Sequence, residues 1–478
     1  MLTIPRLSPR SQTPAPIRRC LRDVVRLVSL ALGLLTCADD VLAEPATEPT
    51  PVSFCKDVAP ILLKRCQGCH GLHDPKAHYQ LHNYAELLKP GDSGEAPVTA
   101  GEPQRSELYR LIAVADAAER MPRDADPLTT AQLGLVRRWI SEGAHFDGPN
   151  EQAALAAVAP RGTQPPPPAS YRVAPPITAL AFRPDGTELA IGGYHEITVW
   201  NPRDGSLLRR IENVEQRTFA LDYNADGSLL AVAGGAPGQS GEIALFDPAQ
   251  GNLIKRLGAL TDVAFGVAFD PTGARVAACG ADRTIRIYDV PSGVEQRVIE
   301  DHADWVMGVA WSPDGKRLAS ASRDKTARVF DSGSGESVAT YSGHSQTVFA
   351  VSFSADGKQV YSAGGDKRIH LWDVATGKMA STSTGINGEV FAMQLRGSRL
   401  FSGSADKIAR EHHLADLKPL RSLSGHKDAI FAVSYNEPTK RLATGGFDGE
   451  VRVWNTDDGA SVVVFKPAPG LAPAQPAK

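Results

Sequence analysis

Cys66-Gln67-Gly68-Cys69-His70 is the stretch of this chain whose residue types and spacing carry the most chemistry. It spells C-x-x-C-H, the attachment pattern for a c-type haem. Two thiols three positions apart can each form a thioether with one vinyl group of a porphyrin. The histidine that follows then has its imidazole at the iron. A C-x-x-C pair also suits zinc or a redox dithiol. Zinc would need two more Cys or His at a matching spacing, and no second C-x-x-C exists in the 478 residues. A redox dithiol would need a βαβ setting, whereas the flanks of Cys66 read as helix.

A second axial ligand is sought among the neighbours of the motif. Of the five methionines, only Met121 falls between the motif and a Pro-rich stretch that ends this region. A thioether is a soft, neutral ligand that favours Fe(II) and raises the reduction potential. His73, His78, His82 and His145 offer a bis-His alternative, and an open sixth position is a third.

Helices are expected to position these groups. Ser53 is an N-cap for a helix through Phe54–Arg65, with Pro60 near enough to its start to be tolerated. Ser106 begins a second, with Leu108, Leu111 and Ile112 on one side. Thr129 and Gln132 form a capping box for a third, which carries Leu133, Val136, Trp139 and Ile140 and ends at Gly143. Residues 44–147 thus read as a small all-α domain.

The run Phe54…Asp57-Val58…Pro60-Ile61-Leu62…Cys66…Cys69-His70-Gly71 resembles the planctomycete-type cytochrome c domain. So do Gly101-Glu102-Pro103…Ser106…Leu108…Ile112, Met121-Pro122 and Leu128-Thr129…Leu135…Trp139-Ile140…Gly143-Ala144. The resemblance covers nearly the whole domain and implies one covalent haem c, with His70 and Met121 as the axial pair on iron. One departure is Arg123, which follows Met121-Pro122 where a second proline is usual.

Residues 1–43 read as an export signal. Arg18, Arg19, Arg22 and Arg26 precede an apolar run, Leu27–Ala38, and Val41-Leu42-Ala43 suits cleavage. Twelve residues fall short of the ~20 a spanning helix needs, so no membrane span is expected in the mature chain. Export agrees with the haem motif and predicts a periplasmic protein. Cys20 and Cys37 leave with the leader; Cys55 and Cys279, in separate domains, read as small buried side chains, not a disulfide framework. Losing six Arg and three Asp takes the net charge from −3 to −6. With no basic stripe, nucleic acid is not an expected partner.

Residues 148–170 are rich in Ala, Gln and Pro, with four prolines at Pro165–Pro168, and read as an extended spacer. Over 171–478 the chain repeats at about forty residues. A turn recurs at Pro184-Asp185-Gly186, Ala225-Asp226-Gly227, Pro271-Thr272-Gly273, Pro313-Asp314-Gly315 and Ala355-Asp356-Gly357. A second marker recurs as Trp200-Asn201, Phe246-Asp247, Tyr288-Asp289, Phe330-Asp331, Trp372-Asp373 and Trp454-Asn455. Seven such units resemble WD-repeat proteins and predict a seven-bladed all-β propeller after the all-α cytochrome domain. His302/Asp324, His344/Asp366 and His426/Asp448 are each 22 apart. In WD repeats these positions join a Ser or Thr, here Ser362 and Thr444, and a Trp in a hydrogen-bonded set. They are structural, not catalytic. His412-His413 replaces the second marker in the sixth unit, and a degenerate blade explains it more simply than a metal site, since neighbours on a strand face opposite ways. The last blade's outer strand could be Ser461–Phe465 or come from Tyr171–Val173.

Aligned first strands put Phe219, Phe265, Met307, Phe349, Phe391 and Phe431 at one position, with Thr178 in the first unit. Packing between blades and an apolar docking surface both fit this pattern. The function expected is electron transfer, with the propeller docking a redox partner protein. A haem enzyme with an open iron position and a non-redox haem scaffold are the alternatives; no nucleophile set or carboxylate pair stands outside the repeat architecture.

Overall fold

The computed structural model describes residues 50–471, apart from 72–74, 124, 149, 154, 160–163, 239 and 261. The expected export signal and His73 lie outside the described residues. The chain begins with a small helical region: α1 (Ala59–Arg65), α2 (Gln67–His70), α3 (Tyr84–Leu87), α4 (Glu107–Ala113), α5 (Thr130–Ser141) and α6 (Leu155–Val158). Ser53 Oγ accepts from Lys56 N at 2.9 Å. A wider turn, Phe54–Val58, separates that cap from α1, and Pro60 sits in the first turn of α1, where no N–H is needed. The capping box of α5 is complete: Thr129 Oγ1 accepts from Gln132 N and Gln132 Oε1 from Thr129 N. Gly143, just past the helix end, takes a φ of 103°, which a side chain would resist. Ser106 precedes α4 as expected, but its buried hydroxyl bonds Thr99 and Glu102, not the helix's own N–H groups.

The core of this region gathers Phe54, Tyr84, Trp139 and Phe146. Phe54 lies 4.9 Å from Tyr84 and 5.1 Å from Trp139 between ring centroids. The polar ends of these side chains are satisfied, with Trp139 Nε1 donating to His145 O and Tyr84 Oη to Ala144 O.

The Ala/Pro-rich stretch is not the extended spacer that composition predicts. Leu155 is fully buried and, with Ala159, belongs to the helical core, which therefore reaches past the boundary expected at 147. Ala85 N donates to Glu151 O and Leu155 N to His82 O. α6 packs on α1 and also on the outer strand Asn252–Leu260 of the propeller. Further on, Gln164 N donates to Asn213 Oδ1 and Pro168 O accepts from Arg210 Nη2. Both domains thus supply partners to the described residues of this segment.

Seven four-stranded antiparallel sheets follow, at 180–211, 217–260, 264–299, 306–341, 348–382, 390–424 and 430–465. Each sheet uses four consecutive strands. One apolar cluster fills each of the seven boundaries between neighbouring blades, including that between the seventh and the first. Burying one face on each neighbour is what a single blade cannot do alone. The ring closure is now defined: Ser461–Phe465 pairs with Val451–Asn455 as the outer strand of blade seven, and Tyr171 lies outside any strand.

Candidate functional site

α1 ends where Cys66 leaves helical geometry (φ −125°, ψ −36°), and α2 restarts immediately as a single turn. His70 N and Cys69 N both bond Cys66 O at 3.1 Å. Cys66 is half-buried, and burial pushes its thiol up to about 11; Cys69 is exposed. His70 directs Nδ1 to the carbonyl of Tyr79 at 3.1 Å. A carbonyl only accepts, so Nδ1 carries the proton and Nε2 keeps its lone pair. This is the arrangement that metal-ligating histidines usually adopt.

Met121 follows a turn at 116–120 that brings it back onto α4, where its N–H donates to Leu111 O at 2.9 Å. The peptide between Met121 and Pro122 is cis. The Met121 side chain packs on the helical core. Cys66, His70 and Met121 line one crevice that opens to solvent. Leu81, Pro97, Leu108, Leu111 and Ile112 give it apolar walls, and Asp92, Ser93 and Glu107 stand among the polar lining. Cys69 is not in that lining.

The alternative histidines among the described residues are elsewhere. His78 is exposed and bonds Asp92 at 2.7 Å, while His82 and His145 are absent from the crevice walls. The residues present fit a c-type haem: two thiols three apart, an imidazole with the correct nitrogen free, and an apolar crevice with a thioether in its wall. Tyr79 is the participant that sequence reasoning missed. Its contribution is a backbone carbonyl nine residues from His70, which no residue pattern announces.

In the propeller the predicted sets form. His344 Nδ1 lies 2.8 Å from Asp366 Oδ2, His344 Nε2 lies 2.8 Å from Ser362 Oγ, and Trp372 Nε1 donates to that same hydroxyl at 3.2 Å. His426, Thr444 and Trp454 repeat the pattern, with His426 Nδ1 3.4 Å from Asp448. In blade four the hydroxyl is Ser320, 2.7 Å from His302 Nε2, and Phe330 replaces the Trp. His344, Asp366 and His370 are close enough to suggest a metal. However, the two imidazoles stack 4.1 Å apart and 9° from parallel. Their in-plane lone pairs therefore do not converge on an ion at ~2 Å. His412 is buried and His413 exposed, as opposite-facing neighbours must be.

The aligned apolar residues are half-buried on the first strands, and three neighbouring pairs of them touch. Phe219–Phe265, Phe349–Phe391 and Phe391–Phe431 centroids are 5.5, 5.2 and 4.9 Å apart. Trp305 and Phe447, 37% and 53% exposed, extend the collar outward.

Two family models match. Residues 66–124 match the planctomycete cytochrome C model, and 251–289, 293–331, 335–373 and 417–455 match the WD domain, G-beta repeat. The chain joins a planctomycete cytochrome c domain to a WD-repeat propeller. Such a cytochrome domain implies haem c. A stretch of the chain also resembles eukaryotic translation initiation factor 3 subunit I. Identity is 41% over 69 residues in Neosartorya fischeri and in Aspergillus fumigatus, and 39% over 70 in Aspergillus terreus. The aligned segments are 14–15% of this chain and 20–21% of those proteins, so the chain spans about a fifth of the curated relatives it matches. No helix among the described residues is long and apolar enough to cross a membrane.

Proposed function

We propose that this is an exported electron-transfer protein: residues 44–147 carry one covalent haem c and the propeller docks a redox partner protein. The observation that carries this reading is the shared crevice, in which His70, with Nδ1 engaged by Tyr79 O, and Met121 lie with Cys66. Cys66 and Cys69 would hold the haem covalently, His70 would ligate iron through Nε2, and Met121 would supply a second ligand. When bound, the group supplies one-electron redox chemistry. The chain's own residues exclude water with apolar walls, fix the imidazole tautomer, and present a soft thioether that favours the reduced state.

The half-exposed collar supports the docking half of the reading, because contiguous apolar surface with aromatic content is characteristic of protein contact sites. The basic and apolar segments of residues 1–43 support export, and haem attachment to C-x-x-C-H supports a periplasmic location.

The test is expression in a host that matures c-type cytochromes, followed by absorption spectroscopy. A six-coordinate low-spin spectrum that converts to high-spin in Met121→Ala is expected. The same low-spin spectrum in Met121→Ala would overturn the ligand assignment, and a high-spin wild type would favour an open, ligand-binding iron.

A further inference from the structure

Tyr79 contributes more than a carbonyl. Its hydroxyl donates to Leu87 O at 2.9 Å, at the end of α3, where helix carbonyls lack intrahelical partners. Its ring meets the His70 ring edge-on, at 5.5 Å and 65°. The backbone beside it is clamped from the other side. Asp92 N donates to Ala77 O at 2.9 Å. At Gly91 an added Cβ would lie 2.5 Å from Ala77 O and 2.9 Å from Tyr79 Cβ. The carbonyl that receives the His70 proton is therefore held by three fixed contacts: phenol to α3, ring to imidazole, and main chain to Gly91.

α3 is itself anchored away from the crevice. Ala85 N donates to Glu151 O, and His82 O accepts from Leu155 N, the first residue of the helix that packs on the propeller's second blade. His70, Tyr79 and α3 thus form one contiguous hydrogen-bonded unit that ends at the segment joining the domains.

We propose that Tyr79 is a positioning residue for His70: its phenol, tied to Leu87, fixes the carbonyl that orients the imidazole and sets how strongly Nδ1–H is polarised. The inference rests on His70 being the iron ligand. A firmly held Nδ1–H···O=C bond makes the opposite nitrogen a better donor and favours the oxidised metal. Loosening the carbonyl weakens that effect and raises the reduction potential.

The experiment compares wild type and Tyr79→Phe as full-length, haem-loaded protein, by redox titration and by NMR exchange of the His70 Nδ1 proton. Removing one oxygen leaves the ring and its packing in place. The expected result is a ferrous-to-ferric ratio about threefold higher at fixed potential, ~28 mV at 59 mV per decade for one electron, together with faster Nδ1–H exchange. A lower melting temperature with unchanged potential and exchange would overturn the proposal, leaving Tyr79 a stabilising side chain only. Gly91→Ala, which presses on the same backbone, is expected to move both readouts too, and its failure to do so in a folded protein would also count against the proposal. A wild-type protein that takes up no haem sinks the underlying function instead, and is distinguished before any variant is made.

Discussion

His412 Nε2 lies 2.8 Å from Ser402 Oγ, in the place where blades five and seven put a tryptophan nitrogen on a Ser or Thr hydroxyl. Because His412 Nδ1 donates to Leu417 O at 3.2 Å, Nε2 must accept, and the serine donates. The sixth blade has thus reversed the direction of this hydrogen bond while keeping its position. A histidine there is a neutral acceptor, and burial lowers its pKa to about 4.

That reversal gives acid a handle. His370, lowered to about 4 by burial and then by His344, behaves likewise. In the unfolded chain both bind a proton near pH 6.5, whereas the folded protein resists until about 4, so the unfolded state holds more protons between those values. Stability is therefore retained above about pH 6.5 and falls steadily toward pH 4. Melting temperatures recorded across this range should decline, and His412→Leu should decline less steeply while starting lower.

Thr444 serves two buried partners at once, His426 Nε2 at 2.8 Å and Trp454 Nε1 at 3.0 Å. Thr444→Val keeps the shape and leaves both nitrogens unsatisfied. Unfolding in urea should report a loss of ~3 kcal/mol. A loss under ~0.5 kcal/mol would mean that the set contributes little to blade seven.

The strap over the first blade depends on charge. Glu196 is fully buried, accepts from Tyr171 Oη at 2.5 Å, and pairs with Arg210, which also holds Pro168 O. Arg210→Ala strands that carboxylate and should cost about 3 kcal/mol, with limited proteolysis newly cutting near residues 164–173. Unchanged resistance to protease there would count against the strap.

Collar residues can be separated into packing and docking. Ser at both Phe391 and Phe431 removes two rings that touch each other, each only half-buried. We expect a folded propeller with a melting temperature a few degrees lower and loss of partner capture by the immobilised protein. Loss of the β-sheet circular dichroism signal would assign the collar to packing.

Only two of the described cysteines should hold haem. Cys55 is buried beside Asp147, and burial together with that carboxylate pushes its thiol up to about 12, which leaves it unreactive. Haem staining after denaturing electrophoresis should persist in Cys55→Ala and vanish in the double variant Cys66→Ala/Cys69→Ala.

What was legible in the residues was whatever is local or repeated. Cys66, Cys69 and His70 announce themselves by spacing, Thr129 and Gln132 by three-residue separation, and the blades by recurrence. Met121 stood out because so few methionines compete, and the structure places it in the crevice wall with Cys66 and His70. Tyr79 was not, since a main-chain carbonyl has no signature and its closeness to His70 depends on a returning loop. The proline stretch misled for a related reason: composition describes what Pro165–Pro168 cannot do for themselves, while Arg210 and Asn213, more than forty residues away, decide how they are held. Ser402 and His412 were visible as types, but their bond depends on register between strands.

No strand is shared across the junction of the first and seventh sheets, and the chain's two ends of the ring meet there, with Tyr171 N donating to Pro469 O at 3.2 Å. Every sheet is built from four strands that are consecutive in the chain. A circular permutant that joins these adjoining ends and opens the chain between any other two blades would leave all seven sheets intact. The order in which the repeats are synthesised is thus separable from the ring they make.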